Sequence, residues 1–331
     1  MKALVLKAID EPFVFEDIEK PILESGEVLV KIKAAALNRR DYWIKKGQYA
    51  GLKFPIVLGS DGAGVVEEVY DDKYRHLLGK EVVINPALKW GGEEDYQGKE
   101  FNILGLPTNG TFAEFVKVDA TNIYEKPEHL SFREAAAFPL AGLTAYRAVF
   151  QKGKLKKGEN VLIVGAGGGA ATFALHWAVK AGANVYVTSG SEEKIQKAKA
   201  LGAIEGFNYK NENWDQELMV KVSGFDLIID SVLGDSFAKH LNYANPGARI
   251  VFFGATAGNL PQLNGRIIFM KQIQILGTMM GSPKDFAAML DFINHHKIHP
   301  EIDSEYALQD AETAIHLMDS FSQFGKIVLE V

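Results

Sequence analysis

Residues 161–170, VLIVGAGGGA, carry an apolar run into a glycine turn and out into a segment of helical periodicity, ATFALHWAVKAGA. The spacing Gly165, Gly167, Ala170 fits the dinucleotide fingerprint of a strand-to-helix corner, with Gly168 and Gly169 lying between its second and third positions. In such a corner Gly165 permits the tight turn, Gly167 lets backbone approach a pyrophosphate, and the small Ala170 lets helix and strand pack closely. The following helix then aims its free N–H groups and the positive end of its dipole at the phosphates. Context strengthens the reading. A second strand, NVYVTSG, a charged helix, SEEKIQKAKALGA, and a third strand, FDLIID, come next.

The end of the second strand bears on cofactor choice. An enzyme that uses NAD usually presents Asp or Glu about 20 residues beyond the glycine turn, where the acid bonds the ribose 2′-hydroxyl and repels a 2′-phosphate. This chain has Thr188, Ser189, Gly190 and Ser191 there, with Lys194 one turn further on. Small hydroxyls can donate to phosphate oxygens and the lysine supplies charge, so NADPH is expected over NADH. Glu192 and Glu193 oppose this only if they turn inward; acids at the start of a helix ordinarily complement its dipole.

Such a corner needs a parallel sheet around it, and the wider pattern supplies one. From SFREAAAFPLAGLTAYRAVF, where Ser131 and Glu134 form a capping box, helical periodicity alternates with strands to about residue 268. Before residue 125 the chain is instead β-like, in short apolar runs such as EVLVKIKAAAL and TFAEFVKV separated by Gly, Pro and Asn. The tail, with the helix DFAAMLDFINHHKI and the closing strand KIVLEV, is too short for a third domain and is expected to return to the first. At 331 residues, 47% hydrophobic and 24% charged, the chain has room for two domains with ample cores. Its formal charge of −6, with no basic block, gives no basis for binding nucleic acid or an anionic membrane. No apolar run approaches bilayer length and the N-terminus lacks a signal-peptide pattern, so the cytoplasm is the expected location. With no cysteine, disulfides, thiolate nucleophiles and sulfur-bound zinc are excluded.

The order of these pieces resembles the medium-chain dehydrogenase/reductase superfamily from end to end, and especially its zinc-independent quinone or enone oxidoreductase branch. The resemblance is carried by LNRRDYWIKKG at 37–47, FPIVLGSDGAGVV at 54–66, GTFAEFVKV at 110–118, AAAFPLAGLTAYRAV at 135–149, the glycine turn, and FGKIVLEV at the C-terminus. It implies an α/β architecture, a doubly wound Rossmann domain inserted into a GroES-like β catalytic domain, with the cofactor in the cleft between them. The expected boundaries are 1–125 for the first part of the catalytic domain, 126–268 for the Rossmann domain and 269–331 for the return segment.

The family's zinc-dependent members supply a test. At their catalytic ligand positions this chain has Asn38, ahead of Asp41, then Ser60 between Gly59 and Asp61, and finally Leu140. An amide and a carboxylate are not the nitrogen and sulfur donors zinc prefers, so no metal is expected. The loop NPALKWGGEEDYQGKEFNILG stands where relatives carry a structural-zinc lobe and reads as a residual surface lobe, with a place at the substrate cleft or a subunit contact left open. His295, His296 and His299 sit at a helix end and its exit, where a solvated, capping role is expected.

Asn38 and Thr144 are, by resemblance and by their donors, the candidates for orienting the nicotinamide end or the substrate oxygen. Asp41 reads as a structural acceptor. Tyr42, Trp43 and Tyr49 are candidate walls of an apolar pocket, with a core role equally open, and either tyrosine could donate a proton. The resemblance further places Tyr209 at the 2′-phosphate, Gly254 and Ala255 at the nicotinamide side, and Gly325 and Lys326 near the cofactor; a surface ion pair is the other reading of Lys326. Met279 and Met280 read as gap fillers beside the substrate or as ordinary core. Without metal or thiol, hydride must pass from NADPH to an activated acceptor, a quinone or an α,β-unsaturated carbonyl, polarised by hydrogen bonds. An enoyl-thioester or aldehyde/alcohol reductase, or a non-catalytic NADPH-binding protein, are the alternatives. Homodimerisation at the Rossmann sheet edge, using GRIIFMKQI, is the family expectation for a partner.

Overall fold

A computed structural model describes all 331 residues. The chain divides into two compact units, Met1–Leu143 with Gly281–Val331, and Thr144–Met280.

The first unit is built around the long strand Glu27–Ala36, whose alternating apolar residues Val28, Val30 and Ile32 are buried. Along one edge it pairs antiparallel with Asp61–Val69, in a register that sets Ala36 opposite Asp61. Its other edge is shared. Phe115–Asp119 pairs with the first half, and the last strand of the chain, Lys326–Glu330, pairs with the second half, setting Val328 opposite Ala36. The tail therefore does return, and it inserts where Asn38 and Asp61 lie. The Leu37 N–H donates to Ile327 O at 3.0 Å, so the ladder continues as the first strand ends.

Thr144–Met280 holds a parallel six-stranded sheet in the order Glu205–Asn208, Asn184–Ser189, Asn160–Val164, Phe225–Asp230, Ala244–Phe252, Gln274–Gly277. Leu162 and Ile163, adjacent in sequence and so on opposite faces, are both buried, as a sheet covered on two sides requires. The helix Gly169–Lys180 packs its apolar length in the core, with Phe173 stacked on Trp177 at 5.7 Å between ring centroids. This is the expected Rossmann architecture.

The divisions fall later than the expected 125/126 and 268/269. The helix Phe132–Ala137, with its Ser131–Glu134 capping box formed as read, packs on strands Glu27–Ala36 and Asp61–Val69 of the first unit. The segment after 268 contains Gln274–Gly277, the sixth parallel strand. The change from β to helical periodicity marked a change of secondary structure, not of domain. In the lobe at residues 85–105, Ala87–Leu88 pairs with Asn102–Ile103, and the buried Trp90 meets Phe101 edge-on at 5.4 Å. An aromatic pair thus does the closing in this lobe.

Candidate active site

Register alone brings three polar residues together in the first unit. Asn38 caps the helix Arg39–Lys45 just after the strand Glu27–Ala36 ends, Asp61 opens the strand Asp61–Val69, and Lys326 opens the last strand, Lys326–Glu330. The Lys326 ammonium donates to Asn38 Oδ1 at 2.6 Å and to Asp61 Oδ2 at 3.0 Å, and Asn38 Nδ2 donates to the same Asp61 oxygen at 2.9 Å. The other Asp61 oxygen accepts the Leu140 N–H at 2.7 Å. Lys326 is therefore not paired with a surface acid: its partner is fully buried and it is itself only 3% exposed.

A second layer surrounds this triangle. Arg40 donates to Ser60 Oγ at 2.6 Å and to Leu104 O at 2.9 Å, while Ser60 donates to the same carbonyl at 2.7 Å. The Tyr49 ring lies under the Arg40 guanidinium, 5.2 Å from its centroid, which links Tyr49 to the site through the arginine. Gly59 takes φ +96° to present Ser60, and a side chain there would strike the ring of Phe112.

Asp41 accepts the Asn38 N–H at 2.8 Å through Oδ2, the structural role expected of it, while its Oδ1 is buried without a partner. Burial raises its carboxyl to about 6, against the lowering influence of the Arg40 charge and the Asn38 N–H. The folded state therefore holds a proton that the unfolded chain releases near 3.8, and stability falls as pH rises from about 4 through about 6. A rise of this size is worth roughly 2–3 kcal/mol. Urea unfolding of wild type and Asp41→Asn across that range should show the variant gaining stability relative to wild type with rising pH, then levelling. A difference that does not change with pH would contradict the assignment.

Two of the candidates have structural partners of their own. The Tyr42 phenol is hydrogen-bonded to Asp319, which raises its pKa and makes it a poorer proton donor. Gly325, at φ +106°, would meet the Glu301 carbonyl with any side chain, so it is the turn into the last strand that needs this glycine. His299 pairs with Glu134 at 2.6 Å, and His295 and His296 lie in the last turn of the helix Pro283–His296. Thr144, buried, donates to Met280 Sδ at 3.8 Å; Met280 is core, whereas Met279 is exposed.

Within the Rossmann unit the turn is built as its sequence implies. Gly165 and Gly167 take φ of +77° and +111°, Gly168 precedes the helix, and Gly169 and Ala170 open it. No side chain caps that helix and no acid sits in its first turn, which leaves its leading N–H groups for an anion. Ser189 does something other than expected. Its hydroxyl is buried, donates to Ala166 O and accepts the Ser191 N–H, both at 3.3 Å. It ties the strand end to the glycine turn and is not placed to hold a phosphate. Beside it, Tyr209 lies so close to Gly190 that a Cβ at 190 would overlap its phenol, and Lys194 is half-buried on the first turn of the next helix. Glu192 bonds Gln196 and Glu193 pairs with Lys197, so both acids run outward along their own helix.

One pair escaped the sequence reading. Asp230, at the carboxyl end of Phe225–Asp230, accepts from His240 at 2.8 Å and from the N–H groups of Val232 and Leu233 at 2.6 and 3.0 Å. Burial raises its pKa, but these bonds outweigh that and hold the carboxyl below its ordinary value. The segment it organises receives the Ala257 N–H at Val232 O, 2.9 Å, so exposed Gly254 and Ala255 stand on a braced loop at the sheet edge where open α/β sheets bind ligands. A carboxylate closing the apolar run Leu227–Ile229 was the available signal.

Comparison with known proteins agrees with this anatomy. Residues 24–128 match the alcohol dehydrogenase GroES-like domain, and residues 155–295 match the family model described as zinc-binding dehydrogenase. The zinc-type alcohol dehydrogenase-like protein YogA of Leptosphaeria maculans is 36% identical, over 97% of this chain and 95% of that one. A crystal structure of an NAD-dependent alcohol dehydrogenase superposes with TM-score 0.94 at 36% identity, covering 100% of both chains. Mouse quinone oxidoreductase is 29% identical over 95% of this chain and 92% of its own. The chain belongs to the medium-chain dehydrogenase/reductase superfamily. It is an oxidoreductase, for which a nicotinamide cofactor is expected.

The residues present fit that cofactor and do not fit a catalytic zinc. The uncapped helix and positive-φ glycines leave backbone N–H groups that would suit a pyrophosphate, whereas the ligand positions hold an amide, a hydroxyl, an aliphatic side chain and a carboxylate already paired with an ammonium. No group of three or more His, Cys, Asp or Glu side chains is arranged to hold a metal.

Proposed function

We propose that this protein is a zinc-independent, NADPH-dependent reductase of quinones or α,β-unsaturated carbonyl compounds. The observation that carries the reading is the buried Asn38–Asp61–Lys326 triangle. Alcohol oxidation needs a zinc or a positioned base to take the hydroxyl proton, and this group supplies neither, since Asp61 is neutralised and Asn38 offers an amide. A conjugated acceptor needs only donors for the charge that develops on its oxygen. The bound dihydronicotinamide supplies the hydride. Asn38 donates to the carbonyl oxygen, and Tyr49 is the tyrosine left to wall an apolar acceptor. The test is an activity panel of quinones, small enones, enoyl thioesters and aldehydes, each with NADPH and NADH. Turnover of the first two classes supports the reading; turnover confined to simple alcohols or aldehydes overturns it.

NADPH is favoured because no acid closes the strand end and because Lys194, Ser191 and Tyr209 border Gly190 and the helix that follows. Lys194→Ala is expected to weaken NADPH by roughly 1–2 kcal/mol, the worth of one charge-assisted contact, and to leave NADH nearly unchanged. Isothermal titration with both cofactors checks this; equal losses would remove Lys194 from the phosphate pocket.

A homodimer in which a second copy covers the sheet edge is supported by the helix Gly265–Lys271 next to the edge strand Gln274–Gly277. There Phe269 and Met270 are 66% and 71% exposed.

A further inference from the structure

Opposite charges grip the two polar ends of the Asn38 amide. Its oxygen faces the Lys326 ammonium at 2.6 Å, its nitrogen faces the Asp61 carboxylate at 2.9 Å, and the two charges meet at 3.0 Å. Turning the amide over would aim N–H groups at an ammonium and a carbonyl lone pair at a carboxylate, replacing two attractions by two repulsions. Burial keeps water from substituting for either partner, since Lys326 and Asp61 are 3% and 0% exposed. The partners are themselves fixed. Asp61 is held by the Leu140 N–H, Lys326 opens a paired strand, and the Asn38 backbone is held by Asp41.

We propose that Lys326 is a positioning residue which, together with Asp61, presents the Asn38 amide solely as a hydrogen-bond donor to a carbonyl oxygen of the reacting ligands. The proposal rests on the reductase reading above and deepens it. With Oδ1 committed to Lys326 and one N–H to Asp61, the second N–H of Nδ2 is the group left for a ligand, on a side chain 5% exposed. Whatever meets it must accept, which selects the carbonyl of the acceptor or the carboxamide carbonyl of the nicotinamide. The ammonium draws density from the amide oxygen and so strengthens the N–H on its far side. When hydride reaches the β-carbon of an enone, the alkene electron pair shifts toward the carbonyl carbon and an electron pair moves onto oxygen, giving an enolate that a proton from water completes. The donor is therefore aimed where charge accumulates.

A merely structural ion pair would leave the amide without a ligand, and this difference can be measured. The neutral double variant Lys326→Met/Asp61→Asn removes both charges without stranding either. In wild-type protein labelled with nitrogen-15 at asparagine side chains, the Asn38 NH₂ pair should be well dispersed and should shift on adding NADP⁺, or NADP⁺ with 2-cyclohexenone. In the double variant the dispersion should collapse. Its kcat for cyclohexenone should fall roughly 10- to 100-fold, as for a misaligned oxyanion donor. NADPH affinity held within about twofold assigns the oxygen to the acceptor, and a matching loss of that affinity assigns it to the carboxamide. Lys326→Arg, which keeps a charged donor, should recover part of the loss. A folded double variant with unchanged kcat and unchanged NADPH affinity would overturn the proposal, as would a wild-type Asn38 resonance indifferent to both ligands. If wild type reduced no acceptor, the reductase reading would fail by itself, and the resonance titration would still decide the role of the amide.

Discussion

Lys326→Met is expected to lower the unfolding free energy by about 3–5 kcal/mol, the usual cost of stranding one partner of a buried ion pair. Asp61 has no exposed surface and lies among the Asn38 amide, the Leu140 N–H and strand backbone, so water cannot take the place of the ammonium. Introducing Asp61→Asn into the same protein should return most of that stability, because an amide needs no counter-ion: its carbonyl oxygen can accept the Leu140 N–H, and its NH₂ can donate to Asn38 Oδ1 once the Asn38 amide, released from the ammonium, turns over. Urea denaturation of wild type, both single variants and the double variant gives the coupling directly. A positive interaction energy of more than about 2 kcal/mol is expected, and additive losses would mean that the two charges do not depend on one another.

Gly167→Val should abolish the stabilisation that NADPH gives by binding the native state. At φ +111° the residue occupies backbone space that a β-branched side chain avoids, so the variant should also lose roughly 1–3 kcal/mol without ligand. The melting temperature of the free protein therefore falls by several degrees, and that fall alone would say nothing about the cofactor. The ligand-dependent difference is the discriminating quantity. Wild type should melt higher with NADPH at many times its dissociation constant, and the variant should melt at the same temperature with and without it. A variant still raised normally by NADPH would place the pyrophosphate away from residues 165–170.

The features legible in the sequence were those with a local period or a local spacing. The glycine turn, the alternation of strands and helices, the Ser131–Glu134 capping box and the return of the tail each follow from residues a few positions apart. What escaped depends on where distant segments meet. Lys326 and Asp61 are separated by 265 positions, and only the pairing of the last strand with the first long strand joins them. Tyr42 was lost to Asp319 for the same reason. Ser189 was misread because side-chain direction at a strand end depends on the backbone beside it, here the Ala166 carbonyl. The expected domain boundary failed because the helix Phe132–Ala137 spends its apolar face on the first unit's sheet, a choice its own periodicity does not encode.

The most direct measurement is the rate of NADPH oxidation by 1,4-benzoquinone and by 2-cyclohexenone, before and after exhaustive dialysis against a chelator, with zinc determined by mass spectrometry on the same samples. The donor set around Asn38, Ser60, Asp61 and Leu140 predicts turnover at well under about a tenth of a zinc per chain, unchanged by the chelator. A full equivalent of zinc whose removal stops the reaction and whose return restores it would contradict the account.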